Sequence, residues 1–267
     1  MSYRQYYEAV TEILESVLNE EGESIQQSGQ WCVESILQGG LLHVFGTGHS
    51  HMLAEEMFFR AGGLLPVNPI LESSLMLHID APKSSRMERL TGLAEVLIEG
   101  QPVKAKDIMF IFSNSGRNAV SIEMALEARK RGLKVIGITS VAHTNAVNSR
   151  HPENLKLYDV VDLVIDNHGV SGDAVISLSD LPVKVAATSS VIGTFIVQAI
   201  VAEVATGFIK LGVQPPIIMS GNLDGSKEYN EKLFASYRDQ VGELRMLSSS
   251  HGYASLEGAS TVRDGDE

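Results

Sequence analysis

The sequence predicts an α/β fold: a three-layer αβα sandwich on a mostly parallel five-stranded sheet, entered through N-terminal helices and closed by a C-terminal helix. Three observations carry that prediction. Short apolar runs of strand length alternate along the chain with amphipathic helical stretches, and parallel strands need helical crossovers. Residues 107–140, DIMFIFSNSGRNAVSIEMALEARKRGLKVIGITS, contain a complete βαβ unit. The turns rich in hydroxyls and glycine fall at strand ends or helix starts, the carboxyl edge where such sheets hold ligands.

Residues 3–19 carry Tyr6, Val10, Ile13, Leu14, Val17 and Leu18 at helical spacing, and residues 22–37 repeat the pattern with Ile25, Trp31, Cys32, Val33, Ile36 and Leu37. These helices form a lead-in over residues 1–37. Gly39 and Gly40 stop the second helix, and residues 41–45 form the first strand of a domain over 38–212. A helix over 51–61 ends at Gly62-Gly63, with a short strand at 64–67. Residues 68–106 read as a Pro-punctuated loop holding one helix at 87–98. Residues 108–112 are short, apolar and bounded by polar residues, as expected of a parallel strand covered on both faces. From Asn118 a helix keeps Val120, Met124, Ala125, Ala128 and Leu133 on one side, its acids leading and its bases trailing to suit the helix dipole.

Beyond Ser140, a short helix at 144–151 and a buried strand at 160–165 precede a loop at 166–173. A long apolar helix covers 185–209, Pro215-Pro216 breaks the chain, and a last amphipathic helix at 227–244 lies in an extension over 213–245. Residues 246–267 are polar, small and aperiodic, the composition of a mobile tail.

The 267 residues carry 33 acids against 21 lysines and arginines, a net charge of −12. That balance argues against a nucleic-acid or anionic-membrane surface, which needs a basic stripe. An anionic ligand must therefore be held locally, by backbone dipoles and hydroxyls. The lone Cys32 excludes an internal disulfide framework and cannot build a cysteine-rich metal site; it reads as a small buried helix residue. The N-terminus has acids where a signal peptide has a basic head and a long apolar run, so a cytoplasmic location is expected. The apolar span at 183–211 is interrupted by Lys184, Gln198, Glu203 and Lys210 and reads as a buried helix, not a membrane helix.

Three turns carry the chemistry. A helix start offers unpaired backbone N–H groups and a partial positive charge, which suit a phosphate. At Ser113-Asn114-Ser115-Gly116 two hydroxyls can rotate toward phosphate oxygens, Gly116 lets the backbone come close, and Asn118 can cap the helix. An ordinary capped turn uses the same residue types. The first strand runs into Gly46-Thr47-Gly48-His49-Ser50, a GxGxS turn in which His51 stands where a dinucleotide fingerprint has its third glycine. Thr188-Ser189-Ser190 supply three consecutive hydroxyls at a helix start, more than one cap can use.

Together these motifs resemble the SIS domain, the sugar-isomerase fold of phosphosugar-binding proteins, over about residues 30–212. The matching residues are Gly46, Gly48 and Ser50; Ser113, Ser115 and Gly116; and Thr188, Ser189 and Ser190. The resemblance implies a phosphorylated sugar as ligand, aldose-ketose isomerisation, no cofactor, and a homodimer or homotetramer whose assembly completes the site. The stretch AATSSVIGTFIVQAIVAEVA is similar to a helix of arabinose-5-phosphate isomerases. The segment PPIIMSGNLDGSKEYNEKL is similar to a further bacterial SIS-domain family, related to phosphoheptose isomerases and muramic-acid-phosphate etherases. The chain departs from both isomerase patterns. It has His49 where arabinose-5-phosphate isomerases have lysine, and Phe59 and Arg60 where phosphoheptose isomerases place a catalytic glutamate, with Glu55 and Glu56 one turn earlier. A non-catalytic phosphosugar sensor and an amino-sugar phosphate etherase are the alternatives this leaves open.

Isomerisation needs a base to move a proton between adjacent carbons and an acid at the carbonyl oxygen. Glu55, Glu56, His49 and His51 are candidates by position, and Glu55 and Glu56 point about 100° apart on a helix, so one at most faces the ligand. His168 and Asp173 lie in the loop at 166–173, which opens onto the carboxyl edge, Asp173 as a sugar-binding candidate. His49 and His51 have no clear third ligand, so no metal is expected.

Overall fold

In the computed structural model, which describes residues 1–238, the apolar runs become the centre of one parallel sheet. Its strands are β1 (Leu42–Gly46), β2 (Val67–Pro69), β3 (Ile108–Phe112), β4 (Lys134–Thr139) and β5 (Leu163–Asp166), in the order β2-β1-β3-β4-β5. Leu42 pairs with Ile108, Ile108 with Lys134 and Ile136 with Leu163, all in parallel register. The chain leaves β1 for β2 on one side and returns to β3 on the other, so strand order reverses between β1 and β3. A crevice at the carboxyl edge follows from that reversal.

Ten helices accompany the sheet among the described residues: α1 (Ser2–Glu20), α2 (Gly22–Leu37), α3 (His51–Met57), α4 (Ala81–Met87), α5 (Leu93–Glu99), α6 (Ala119–Lys130), α7 (Val141–Asn145), α8 (Leu157–Val160), α9 (Ser189–Lys210) and α10 (Ser226–Ser236). Strand side chains alternate between two cores. Ile108, Phe110 and Phe112 pack with residues of α2, α3 and α9, whereas Met109 and Ile111 pack with α5, α6 and α8. Cys32 is fully buried in the first core and its burial pushes the thiol pKa up, as suits an inert packing residue. The apolar α9 is long enough to cross a membrane by length and composition, yet Ile192, Ile196, Val197, Ile200, Val204 and Phe208 pack it into that same core.

At the amino edge a buried polar cluster ties three strands together. The Asp107 carboxylate accepts from the Leu41 N–H at 2.9 Å and the Lys104 N–H at 2.7 Å, and lies 2.9 Å from His43 Nε2. Asn68 Nδ2 donates to His43 Nδ1 at 2.9 Å and to Gln101 Oε1 at 3.0 Å. Every member has a partner, which is what makes burial of such a group tolerable.

Several expectations need correction. The helix expected over 185–209 starts at Ser189; Val185–Ala187 is instead β7, which forms an antiparallel pair with β6 (Ala174–Ile176). The helix expected over 51–61 stops at Met57, because Phe58 is extended and Phe59 has a φ of 44°. The expected strand at 64–67 is shifted to Val67–Pro69. The single helix at 87–98 is two: α4 already ends at Met87, and α5 starts at Leu93 after Gly92, whose φ of 80° is a left-handed conformation suited to glycine. The short helix at 144–151 lies at Val141–Asn145, capped by the Ser140 hydroxyl accepting from the His143 N–H. Residues 157–160 are helical, so β5 begins at Leu163. Beyond Ser236, the later part of the helix expected at 227–244 and the tail at 246–267 fall largely or wholly outside the described residues.

Candidate functional site

At the crevice the β1 turn needs glycine twice. The turn of 3-10 helix at Gly48–Ser50 folds straight back over the end of β1, so a Cβ on Gly46 would overlap the Ser50 carbonyl. Gly48 has a φ of 58°, which an L side chain rarely adopts. This reversal lifts His49 and Ser50 above the sheet edge and starts α3, whose Leu53 faces the same space.

The β3 turn is pinned by its own backbone. Gly116, at a φ of 55°, donates its N–H to the Ser113 carbonyl at 3.1 Å and to Ser113 Oγ at 3.2 Å. The Asn114 carbonyl accepts from the Ser140 N–H at 3.1 Å, and its Oδ1 accepts from Asn167 Nδ2 at 2.9 Å. Asn167 Oδ1 in turn accepts from the Gly169 N–H at 2.9 Å, which joins the ends of β3, β4 and β5 into one rim.

These pieces line a small cleft formed by His49, Ser50, Leu53, Ser113, Asn114, Ile138, Asn167, Ser189 and Ser190. It opens beside the point where strand order reverses. His49 is the titratable side chain in that lining; the remaining polar groups are hydroxyls and amides. Asn167 had no place among the sequence candidates. The signal was its position directly after β5, in the same loop at the carboxyl edge that carries His168 and Asp173.

The other candidates are engaged elsewhere. Asp173 accepts from the Thr188 N–H at 3.0 Å, the Ser189 N–H at 2.8 Å and the Ser189 hydroxyl at 2.6 Å, so its carboxylate caps α9. Thr188 is wholly buried against it, and Ser190 is the hydroxyl of the three with no such partner. Thr47 Oγ1 donates to Glu88 at 3.0 Å. Asn118 stands at the start of α6 without a side-chain cap, its Oδ1 accepting from Arg150 Nη1 at 2.8 Å. Ser115 and Gly116 shape the β3 turn without lining the cleft.

Among the acid and base candidates, Glu56 is bonded by Arg60 and by Gln198 Nε2 at 2.8 Å, between α3 and α9. His168 has a φ of 51° and places Nε2 3.3 Å from Glu21, at the junction of α1 and α2. Glu55 is half exposed on the outer side of α3, with Oε1 3.9 Å from His51 Nε2. His51 itself is buried, its Nδ1 3.2 Å from the Gly46 carbonyl and its Nε2 without a hydrogen-bond partner. No cluster of metal-ligating side chains is found among the described residues.

The SIS domain family matches residues 5–140, which include both the β1 and β3 turns. The chain belongs to the SIS-domain family. Over 240 residues it is 42% identical to a UPF0309 protein of Geobacillus kaustophilus, covering 90% of this chain and 96% of that relative. Over 241 residues it is 41% identical to a UPF0309 protein of Halalkalibacterium halodurans, again covering 90% and 96%. Among solved structures, a phosphoheptose isomerase from Francisella tularensis superposes with a TM-score of 0.53 at 16% identity, covering 76% of this chain and 96% of that one. At that identity the fold is what the two share.

Proposed function

We propose that this SIS-domain chain binds a phosphorylated sugar in the cleft at the carboxyl edge and interconverts its aldose and ketose forms. The observation that carries the reading is the convergence of Ser50, Ser113, Asn114, Asn167, Ser189 and Ser190 on one small space at the strand-order reversal. Hydroxyls and amides can supply several donors to a phosphate and to sugar oxygens without a lysine cluster, which suits a chain of net charge −12. The phosphoheptose isomerase that shares the fold acts, by its name, on a phosphosugar.

In the chemical step His49 would take the proton from the hydroxyl-bearing carbon beside the carbonyl and return it to the former carbonyl carbon, while the proton of that hydroxyl passes to the former carbonyl oxygen, so that the new carbonyl forms where the hydroxyl stood. The amide and hydroxyl donors would polarise the carbonyl oxygen meanwhile. One observation favours a second reading, a phosphosugar sensor: among the described residues no carboxylate lines the cleft, and Glu56 is held by Arg60 and Gln198.

Proton NMR of the protein with a panel of aldose and ketose phosphates separates the two. Turnover that falls at least tenfold in His49→Gln supports the isomerase, and binding without turnover of any member supports the sensor. Ser190→Ala should weaken the bound phosphosugar by about 5- to 15-fold, the loss of one hydrogen bond of about 1–1.5 kcal/mol. Unchanged affinity by titration calorimetry would remove α9 from the site.

A further inference from the structure

Three arginines, Arg89, Arg117 and Arg150, lie near one another next to the two turns of the cleft, with Glu88 as the acid beside them but no ion pair formed among the described residues. Arg89 follows α4, Arg117 directly follows the Ser113–Gly116 turn, and Arg150 lies between α7 and α8. The Arg150 N–H donates to the Arg117 carbonyl at 2.8 Å, and its Nη1 donates to Asn118 Oδ1 at 2.8 Å. Glu88 links Arg89 to the same place, since its carbonyl accepts from the Val120 N–H at 3.2 Å while its carboxylate holds the Thr47 hydroxyl. The cluster is therefore tied to both turns that line the cleft, through Thr47 on one side and Arg117 and Asn118 on the other.

The arginine ion pairs found among the described residues belong to Arg60, Arg129 and Arg131; Arg89, Arg117 and Arg150 have none. Arg117 Nε is buried and has no acceptor among the described residues, an arrangement that an incoming acceptor would relieve. Burial first, then the charges of Arg117 and Arg89, lower the pKa of Arg150, with Glu88 opposing them. The start of α6 adds its own partial positive charge there, with no side chain capping it.

We propose that Arg89, Arg117 and Arg150 form a second anion-binding subsite, so that the phosphosugar taken by this chain carries a second negative group, phosphate or carboxylate, away from the first. The proposal rests on the phosphosugar reading of the cleft. It narrows the substrate class to sugar bisphosphates and phosphorylated sugar acids. Guanidinium groups suit both, because their paired N–H donors match the spacing of carboxylate and phosphate oxygens.

Titration calorimetry with fructose 6-phosphate, fructose 1,6-bisphosphate and 6-phosphogluconate tests this on the wild type and on Arg117→Gln/Arg150→Gln. The expected result is that at least one doubly anionic ligand binds about tenfold or more tightly than fructose 6-phosphate. That advantage should vanish in the double variant while the affinity for fructose 6-phosphate stays within about twofold. The bisphosphate and the sugar acid then separate phosphate from carboxylate as the second group. Equal affinities in the wild type, or an advantage that survives the substitutions, overturn the proposal.

Should the double variant fold poorly, Arg89→Gln alters an exposed side chain and must still reduce the advantage. If no sugar phosphate binds the wild type, the phosphosugar reading fails, and pyrophosphate decides the subsite alone. Thermal stabilisation by pyrophosphate that is lost in the arginine variants retains the subsite; equal stabilisation, or none, discards it.

Discussion

His51 is the residue where burial and hydrogen bonding act most directly against each other. Only 3% of it is exposed, and a carbonyl only accepts, so the Nδ1 facing the Gly46 carbonyl carries the proton of the neutral ring. Burial holds the pKa below its ordinary 6.5, reinforced by His78 and opposed by the Gly46 carbonyl and Glu55. A lowered histidine pKa means that the unfolded chain binds the proton more readily. Stability is then complete above about pH 6.5 and falls as pH drops through and below that value. His51→Asn keeps a donor for the Gly46 carbonyl and removes the titration, so the loss of Tm between pH 7.5 and pH 5.5 should shrink. An unchanged pH profile would show that His51 is not a source of acid sensitivity.

Asp107 makes the complementary case of a buried polar side chain with every partner in place. Asp107→Ala strands the Leu41 and Lys104 N–H groups and His43 at once. A loss of about 3–5 kcal/mol in urea denaturation is expected, and a loss under 1 kcal/mol would mean that water replaces the carboxylate at little cost. This cluster is not legible in the sequence, because His43 and Asn68 lie 25 residues apart and His43 and Asp107 lie 64 apart, so they meet only when β1, β2 and β3 pair. The hydroxyl-rich turns were legible for the opposite reason, since each turn is local and its residue types state its conformation.

At the scale of elements, the same contrast separates what periodicity reveals from what it hides. The strands β1 and β3 and the helices α1, α2 and α6 carry their own patterns and were found within a few residues. The β6–β7 pair was missed because Val185-Ala186-Ala187 is apolar and continuous with α9, so the run reads as helix. Its conformation is set by pairing with Ala174–Ile176. Asp173 marks the boundary from outside the helix, taking the first N–H groups of α9 and separating Thr188 from the strand before it. Removing that cap with Asp173→Ala should cost about 1–2 kcal/mol. Because Ser189 and Ser190 line the cleft, the same change should also weaken phosphosugar binding, whereas a loop distant from the site would lose stability alone. Calorimetric Tm and ligand affinity measured on the one variant distinguish these outcomes. Close packing shows at α2 and α9, where a Cβ on Gly29 would come within 2.7 Å of Glu203 Cβ and one on Gly207 within 2.8 Å of Val33 Cγ2. Those glycines let the two helices approach, which explains why a small residue recurs in otherwise apolar helices.

For the whole molecule, the remaining question is what covers the outer side of α9. Its inner face lies in the core, yet Val191, Phe195 and Ile209 are exposed, and Leu211 continues the apolar surface past the helix end. The α1 helix adds exposed Tyr3, Tyr7 and Leu18. Scattered apolar side chains on a surface need no explanation, but Val191, Phe195 and Ile209 stand at spacings of four and fourteen residues and therefore fall on one side of the helix. A second copy of the chain is the occupant that the homodimer or homotetramer expectation supplies. Sedimentation equilibrium at micromolar concentration should give two or four times the mass of the chain. Phe195→Glu, which places a charge on that stripe without touching the buried side of α9, should shift the population to a folded single chain, whose Tm falls by no more than the stabilisation that assembly supplied. If the wild type sediments as a single chain, the stripe is ordinary solvent-exposed surface and the cleft must operate with the residues of one subunit. If Phe195→Glu separates the subunits and phosphosugar affinity falls with it, the assembly contributes to the site, since Phe195 lies about one turn beyond the Ser190 that lines the cleft.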